Sequence, residues 1–467
     1  GYPIVYPITR EMKRRFFMIS SMYENITAKK MIKIVLPSIL MMILMSLYSI
    51  VDGIFVSRYV GSLALSAINI VYPVVSIIFA IGTMLATGGN AIVSRYLGEK
   101  RIDEARQSFS FFVSVGLIFS LIFVIISILF AKELSLALGA SDLLLDYCVT
   151  YLKLMLFFSP VAMLQALFQS FFVTASRPSL GLKLSFIAGA MNVVLDYLFV
   201  ARMNLGIAGA AIATGIGQMV PAVVGLILFT FSRETLYFVK FKTNWKVLFE
   251  ACYNGSSEMI TQLSSGVITF LFNIILMRLV GETGVAAITI LFYAQFVFQA
   301  FYLGFSIGVA PIVGYKYGAK EKAELKHIYK SSFIFVIVSS LFITILAYFS
   351  TNPLVSIFTK EAATYTMATE GFRIFLLSFI FCGFNIVTSG FFTALSNGKV
   401  SAIISLCRTF IFMGASLILL AKYLGITGVW LSIPVEEVFS LGLCIVYHFI
   451  YFIKPTKKNY FINNDEE

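Results

Sequence analysis

GNAIVSRYLGEK at 89–100 lies over VAPIVGYKYGAK at 309–320 when the chain is slid along itself, with Gly98 and Gly318 220 positions apart. The same offset of 220 brings RYVGSLALSAINI, from Arg58, over RLVGETGVAAITI, from Arg278, and an offset of 219 brings LGIAG at 205 over LGITG at 424. Basic residues recur with it: Lys153 with Arg373, and Arg202 with Lys422, each 220 apart. Chance produces one such match, but several at nearly one spacing and in one order indicate a duplicated unit of about 200 residues.

The nature of that unit follows from composition. The 467 residues are 59% hydrophobic and 12% charged, and the mean hydropathy of +0.92 is far above what a water-soluble core requires. In a bilayer every backbone polar group must be satisfied within its own segment, and long apolar runs without strand-like alternation favour helices over a barrel. Runs long enough to span occur at 34–57, 66–93, 108–131, 147–172, 180–201, 207–231, 248–277, 286–313, 331–350, 370–394, 400–421 and 427–453.

The expected fold is therefore an all-α integral membrane protein with twelve transmembrane helices in two pseudo-symmetric six-helix lobes. An even number of spans per unit makes the second copy enter from the same side as the first, which relates the lobes by an axis along the membrane normal. The expected divisions are a tail at 1–33, an N-terminal lobe at 34–232, a linker at 233–247, a C-terminal lobe at 248–453 and a tail at 454–467. No signal-peptide cleavage pattern precedes the first span, and the opening GYPIVYPITR is set aside from the fold.

Assigning alternate loops to alternate sides leaves only Arg58, Lys132, Lys153, Arg202, Arg278, Lys360, Arg373 and Lys422, 8 of the 35 Lys and Arg, away from the N-terminal side. Arg408 counts among the other 27. The positive-inside rule then puts both termini in the cytoplasm of a multi-pass protein of the cell's inner (plasma) membrane. The same rule accounts for the net charge of +12, so no nucleic-acid partner is expected. The linker SRETLYFVKFKTNWK at 232–246 is basic and aromatic and suits the cytoplasmic membrane surface.

Five cysteines are scattered without metal-like spacing, and there are only two histidines, His327 and His448. No catalytic triad or metal cluster is suggested, so neither an enzyme nor a cofactor is expected. Attention moves to ionisable groups inside spans, which are costly and usually face a bundle interior or a cavity.

Three acids qualify: Asp52 in the first span, Asp196 in the fifth and Glu258 in the seventh. Asp52 precedes Arg58 by 6 residues and Asp196 precedes Arg202 by 6, so both lie roughly 9 Å below the outer boundary. Asn192, one turn from Asp196, shares its helical face. Thr214, in GIAGAAIATGIGQ at 206–218, reaches roughly 10 Å below the same boundary.

Carboxylates, an amide and a hydroxyl at one level are hard ligands for Na+, while two neighbouring acids can instead hold H+. Either coupling ion fits. The structural alternative is that Asp196 pins helices and Asp52 caps a break near Gly53. At +220 the four positions become Phe272, Phe412, Ser416 and Pro434, so the acidic set belongs to one lobe, which a purely architectural role does not predict.

Glu258 lies roughly 18 Å into the membrane, with Gln262 one turn on. It suits a second protonation site or a counter-ion for a cationic substrate, or else a neutral carboxyl bonded between helices. Gln165 with Gln169, and Gln295 with Gln299, form amide pairs suited to joining helices. With 47 Phe and 17 Met, a cavity between lobes would be soft and aromatic, which suits lipophilic cations.

These residues carry a resemblance. VDGIFVSRYVG at 51–61, GGNAIVSRYLGEK at 88–100, NVVLDY from Asn192, LGIAGAAIAT ending at Thr214, and Glu258 together resemble the multidrug and toxic compound extrusion (MATE) exporters, of the bacterial MepA-like type. The resemblance implies a V-shaped pair of lobes and a secondary antiporter that extrudes organic, mostly cationic compounds in exchange for Na+ or H+. It also implies a cation site at Asp52, Asn192, Asp196 and Thr214. Some members pair the seventh-span glutamate with an acid in the tenth span; here that span offers Asn385, which weakens the case for a sodium site in the C-terminal lobe.

A lipid-linked sugar flippase of the same superfamily is an alternative, disfavoured by the few basic residues in spans. A transporter-like sensor is another. The expected partners are small organic cations and membrane lipid, and the expected state is a monomer.

Overall fold

The computed structural model describes residues 26–60, 62–140, 142–232, 234–359, 361–455 and 458–461. Among them all regular structure is helical. The N-terminal lobe comprises α1 (Ala28–Phe55), α2 (Ser62–Gly98), α3 (Ile102–Ala137), α4 (Asp142–Phe157 and Ser159–Thr174), α5 (Pro178–Asp196) and α6 (Gly206–Phe231). The C-terminal lobe comprises α7 (Trp245–Val280), α8 (Glu282–Gly318), α9 (Lys322–Phe358) and α10 (Ala362–Ala394), followed by α11 and α12.

Those last two share one 56-residue run, Gly398–Ile453, in which Gly425 has φ 59° and ψ −135°. Only a residue without a Cβ adopts that conformation easily. Gly425 thus divides the run into α11 (398–424) and α12 (426–453). Counting this break, and α4 as one span bent by 50°, the described residues contain the twelve membrane-length segments of the expected fold.

Several helices outrun their hydropathic cores. α2 and α8 each have 37 residues, and their last turns carry charged groups held in ion pairs, Arg95 with Glu250 and Lys316 with Glu321 and Glu324. Backbone torsions repeat the duplication: left-handed residues fall at helix junctions at Lys100 and Lys320, at Ser176 and Ser396, and at Gly206 and Gly425. Each pair is separated by the same 219 or 220 positions that relate the sequences.

The lobes meet mainly through α2 against α7, α8 against α1, and α2 against α8. The first two contacts exchange under a twofold operation and the third maps onto itself, which is the pattern of an isologous interface. On that axis a Cβ at Gly98 would lie 2.0 Å from the Tyr315 carbonyl oxygen, and one at Gly318 would lie 2.1 Å from that of Arg95. Nearby, Arg95 Nη1 of α2 binds Glu250 Oε1 of α7 at 2.9 Å.

All of these contacts lie at the end where α1 begins. There one buried apolar cluster runs through both lobes, from Val35, Phe112 and Phe168 to Ile312 and Val313. At the opposite end the N-terminal lobe keeps a separate cluster of its own, including Val56, Val71, Leu152, Val200 and Ala211. The lobes are sealed at one end and part toward the other.

The linker crosses the sealed end of the N-terminal lobe as a strap. Arg177 Nε donates to Glu234 Oε2 at 3.0 Å, and Arg106 donates to the carbonyls of Thr235 and Glu234 at 3.1 and 3.2 Å. Leu236 is buried, and Phe238 stacks on Phe109.

Candidate functional site: two ionisable centres

α1 and α5 pack together and α5 packs on α6, so Asp52, Asn192, Asp196 and Thr214 come to one place at the open end. Each aspartate is followed by a π-helical turn, Val56–Val60 after Asp52 and Tyr197–Arg202 after Asp196. Such turns are rare and concentrate at functional positions. The carboxyl groups of Asp52 and Asp196 lie within electrostatic reach of one another.

Asp196 is 0% and Asn192 3% exposed. The Asn192 amide reaches the Thr214 hydroxyl at 3.5 Å, the limit of a hydrogen bond. Four buried oxygens there have no donor: Asp52 Oδ1, both Asp196 oxygens and Asn192 Oδ1. Among the described residues no ion pair reaches either aspartate. The phenols of Tyr48 and Tyr151, and Tyr293 of the other lobe, lie within electrostatic reach of Asp52. A buried cluster of unmatched acceptors is unfavourable unless a proton or a cation enters it.

Gln165 and Gln169 of α4 are buried, and the Gln169 amide contacts the Met45 sulfur of α1 at 3.2 Å. Glu258 and Gln262 are not part of the aspartate cluster. They are half-buried on α7, and Glu258 lies within electrostatic reach of Arg408.

Beyond the three acids expected within spans, the structure buries two more. Glu436 and Glu437 of α12 are 4% and 1% exposed. Arg408, counted among the basic residues of the N-terminal side, lies half-buried within α11. It lies ten residues past the start of that helix at Gly398, roughly 15 Å along its axis.

Arg408 donates to Glu437 from Nη2 at 2.6 Å and from Nε at 3.2 Å to each carboxylate oxygen. The Asn385 amide donates to Glu437 Oε2 at 2.7 Å. Thus the tenth span supplies an amide where an acid was sought, and the twelfth supplies the acid. The signal was present as VEEVF inside the run 427–453, and a census of charges within every apolar run would have found it. His448 is a satisfied interior residue, within 2.6 Å of the Tyr329 hydroxyl and 2.9 Å of the Thr388 hydroxyl.

The comparisons agree with this geometry. The MatE family model matches twice, over residues 37–198 and 258–417, once in each lobe. Multidrug export protein MepA of Staphylococcus saprophyticus is 23% identical over 416 residues, covering 88% of this chain and 92% of its own. That of Staphylococcus haemolyticus is 24% identical over 428 residues, covering 91% and 94%.

Among solved structures, a MATE protein in complex with MaL6 superposes with a TM-score of 0.87 at 20% identity, over 92% of this chain and 97% of its own. An outward-facing multidrug resistance MATE family transporter of the MOP superfamily gives 0.85 at 20% identity, with the same coverage of 92% and 97%. Twelve spans in two lobes, duplicated in sequence and in torsion angles and matched twice by one family model, identify the chain as a multi-pass membrane protein belonging to the MatE family, similar to the MepA multidrug exporters.

Proposed function

We propose that the chain is a secondary antiporter of the plasma membrane, with both termini cytoplasmic, that exports lipophilic organic cations in exchange for Na+ or H+ by alternating access. It carries out no chemical conversion and works as a monomer. The observation that supports this reading best is the set of buried oxygens on Asp52, Asn192 and Asp196 that have no donor. With Thr214 beside them, they suit a small cation or a shared proton.

With the N-terminus cytoplasmic, the sealed end faces inward and the parted end faces out. An ion arriving from outside reaches the aspartates, removes their mutual repulsion and lets α1 and α5 pack differently around their π-helical turns. The ion must bind the two arrangements of the lobes with different affinity, since equal affinity shifts nothing.

The test is efflux of a lipophilic cationic dye from proteoliposomes under an imposed Na+ or H+ gradient. Wild type is expected to export dye, and Asp52→Asn and Asp196→Asn to lose gradient-driven export by about 100-fold, as expected when a group needed for ion binding is removed. Normal export by both folded variants would assign the cluster a structural role.

A further inference from the structure

The C-terminal lobe holds an ionisable centre with no part in the aspartate cluster. Arg408 spends its strong hydrogen bonds on Glu437, and the bidentate pair is neutral as a unit. Glu436 is left with the Ser440 hydroxyl at 3.2 Å and with Arg408 Nε at 3.8 Å. Glu258, on α7, lies within reach of the same guanidinium.

The other groups facing the centre are the thiols of Cys382 on α10 and Cys444 on α12, and the phenol of Tyr302 on α8. None supplies positive charge. Three carboxyls therefore share one cation, and a carboxylate buried without a counter-charge is strongly disfavoured.

A second observation points the same way. Asn385 is 0% exposed and bonds Glu437 through its amide, yet its Oδ1 has no donor. The centre lacks both a positive charge and a hydrogen-bond donor. A proton on a carboxyl supplies both. A metal ion is less suited, because among the described residues no three acids, histidines or cysteines converge as ligands and Arg408 already fills the cationic position. At −220 Arg408, Glu436 and Glu437 become Ala188, Ile216 and Gly217, so the centre belongs to this lobe alone.

We propose that this centre binds one proton on Glu436 and releases it in each transport cycle. The inference rests on the antiport reading but concerns the opposite lobe from the aspartates. The proton leaves the Glu436 carboxyl for water as the organic cation binds, with Arg408 and Glu437 remaining paired throughout.

Infrared difference spectroscopy on the purified full chain tests this, with tetraphenylphosphonium as the probe cation. Wild type is expected to show a protonated-carboxyl band that Glu436→Gln lacks. The band is expected to bleach when the probe binds, as roughly one proton per chain enters a weakly buffered solution. Spectra in which Glu436→Gln removes no protonated-carboxyl intensity, or a Glu436 band that bound probe leaves unchanged, overturn the proposal.

If the glutamine variant does not fold, Ser440→Ala replaces it. Loss of the hydroxyl bonded to Glu436 is expected to move the band upward in frequency, and an unmoved band overturns the assignment. Should wild type fail to bind the probe, the antiport reading falls, while the pH titration of the band still decides whether Glu436 holds a proton.

Discussion

A single missing Cβ sets how closely the lobes approach. In Gly98→Ala the new atom would stand 2.0 Å from the Tyr315 carbonyl oxygen. That atom is backbone and cannot swing aside, so the helices must separate. A loss of about 1–3 kcal/mol is expected, the usual cost of overpacking, seen as a lower unfolding temperature in detergent. Gly414→Ala is the control, since its Cβ would meet only Ile268 Cδ1, at 4.0 Å, and it should leave the melting temperature unchanged.

Residues differed in how legible they were. Asp52 and Asp196 stood out because each is a lone acid in an apolar run flanked by a basic marker, and the structure brings their carboxyls together with Asn192 and Thr214. Arg408 was passed over because it lies inside the run 400–421 yet was counted with Lys399 among the basic residues of the N-terminal side. Its pairing with the α12 acids was hidden for a different reason: the contact joins residues 29 apart, and nothing in one helix names the face that another presents.

At the scale of elements, the apolar runs located every span, but not the helix ends or the π-helical turns. Hydropathy senses the lipid layer, whereas a helix continues as long as its backbone bonds are made. The linker shows the same division. Its basic and aromatic character was evident, but its course is set by Glu234, Leu236 and Phe238 binding the N-terminal lobe.

Those anchors make a prediction. Leu236→Ala should cost about 2–5 kcal/mol of local packing and loosen the strap. Tryptic cutting beside exposed Lys240 and Lys242 should accelerate by about tenfold or more where cleavage follows the open population. An unchanged cutting rate would mean that the strap is held by its ion pairs alone.

At the scale of the whole molecule, the duplication and the two-lobe plan were legible because repetition survives in sequence. Which end is sealed was not, because both arrangements of the lobes use the same spans. The seal includes the Arg95–Glu250 bond, with side chains 18% and 39% exposed. The positions related to them by the pseudo-twofold axis are Tyr315 and Lys30, so this ion pair has no symmetric twin.

Half-exposed pairs of this kind contribute about 0.2–1 kcal/mol. Glu250→Gln should therefore shift the lobes toward opening at that end by about 1.5- to 5-fold. Distances between spin labels on the ends of α3 and α9 would read the change, and an unaltered distribution would remove this pair from the balance between states.

The contact of Gly98 with Gly318 has one more consequence. A surface that fits its own copy across a twofold axis is the surface of a homodimer, so the glycine pair preserves the geometry of an ancestral assembly in which one short gene supplied both halves. In such an ancestor every mutation acted twice. Fusion ended that constraint, and the halves have since diverged in charge: one kept aspartates with no cation beside them, and the other acquired an arginine of its own.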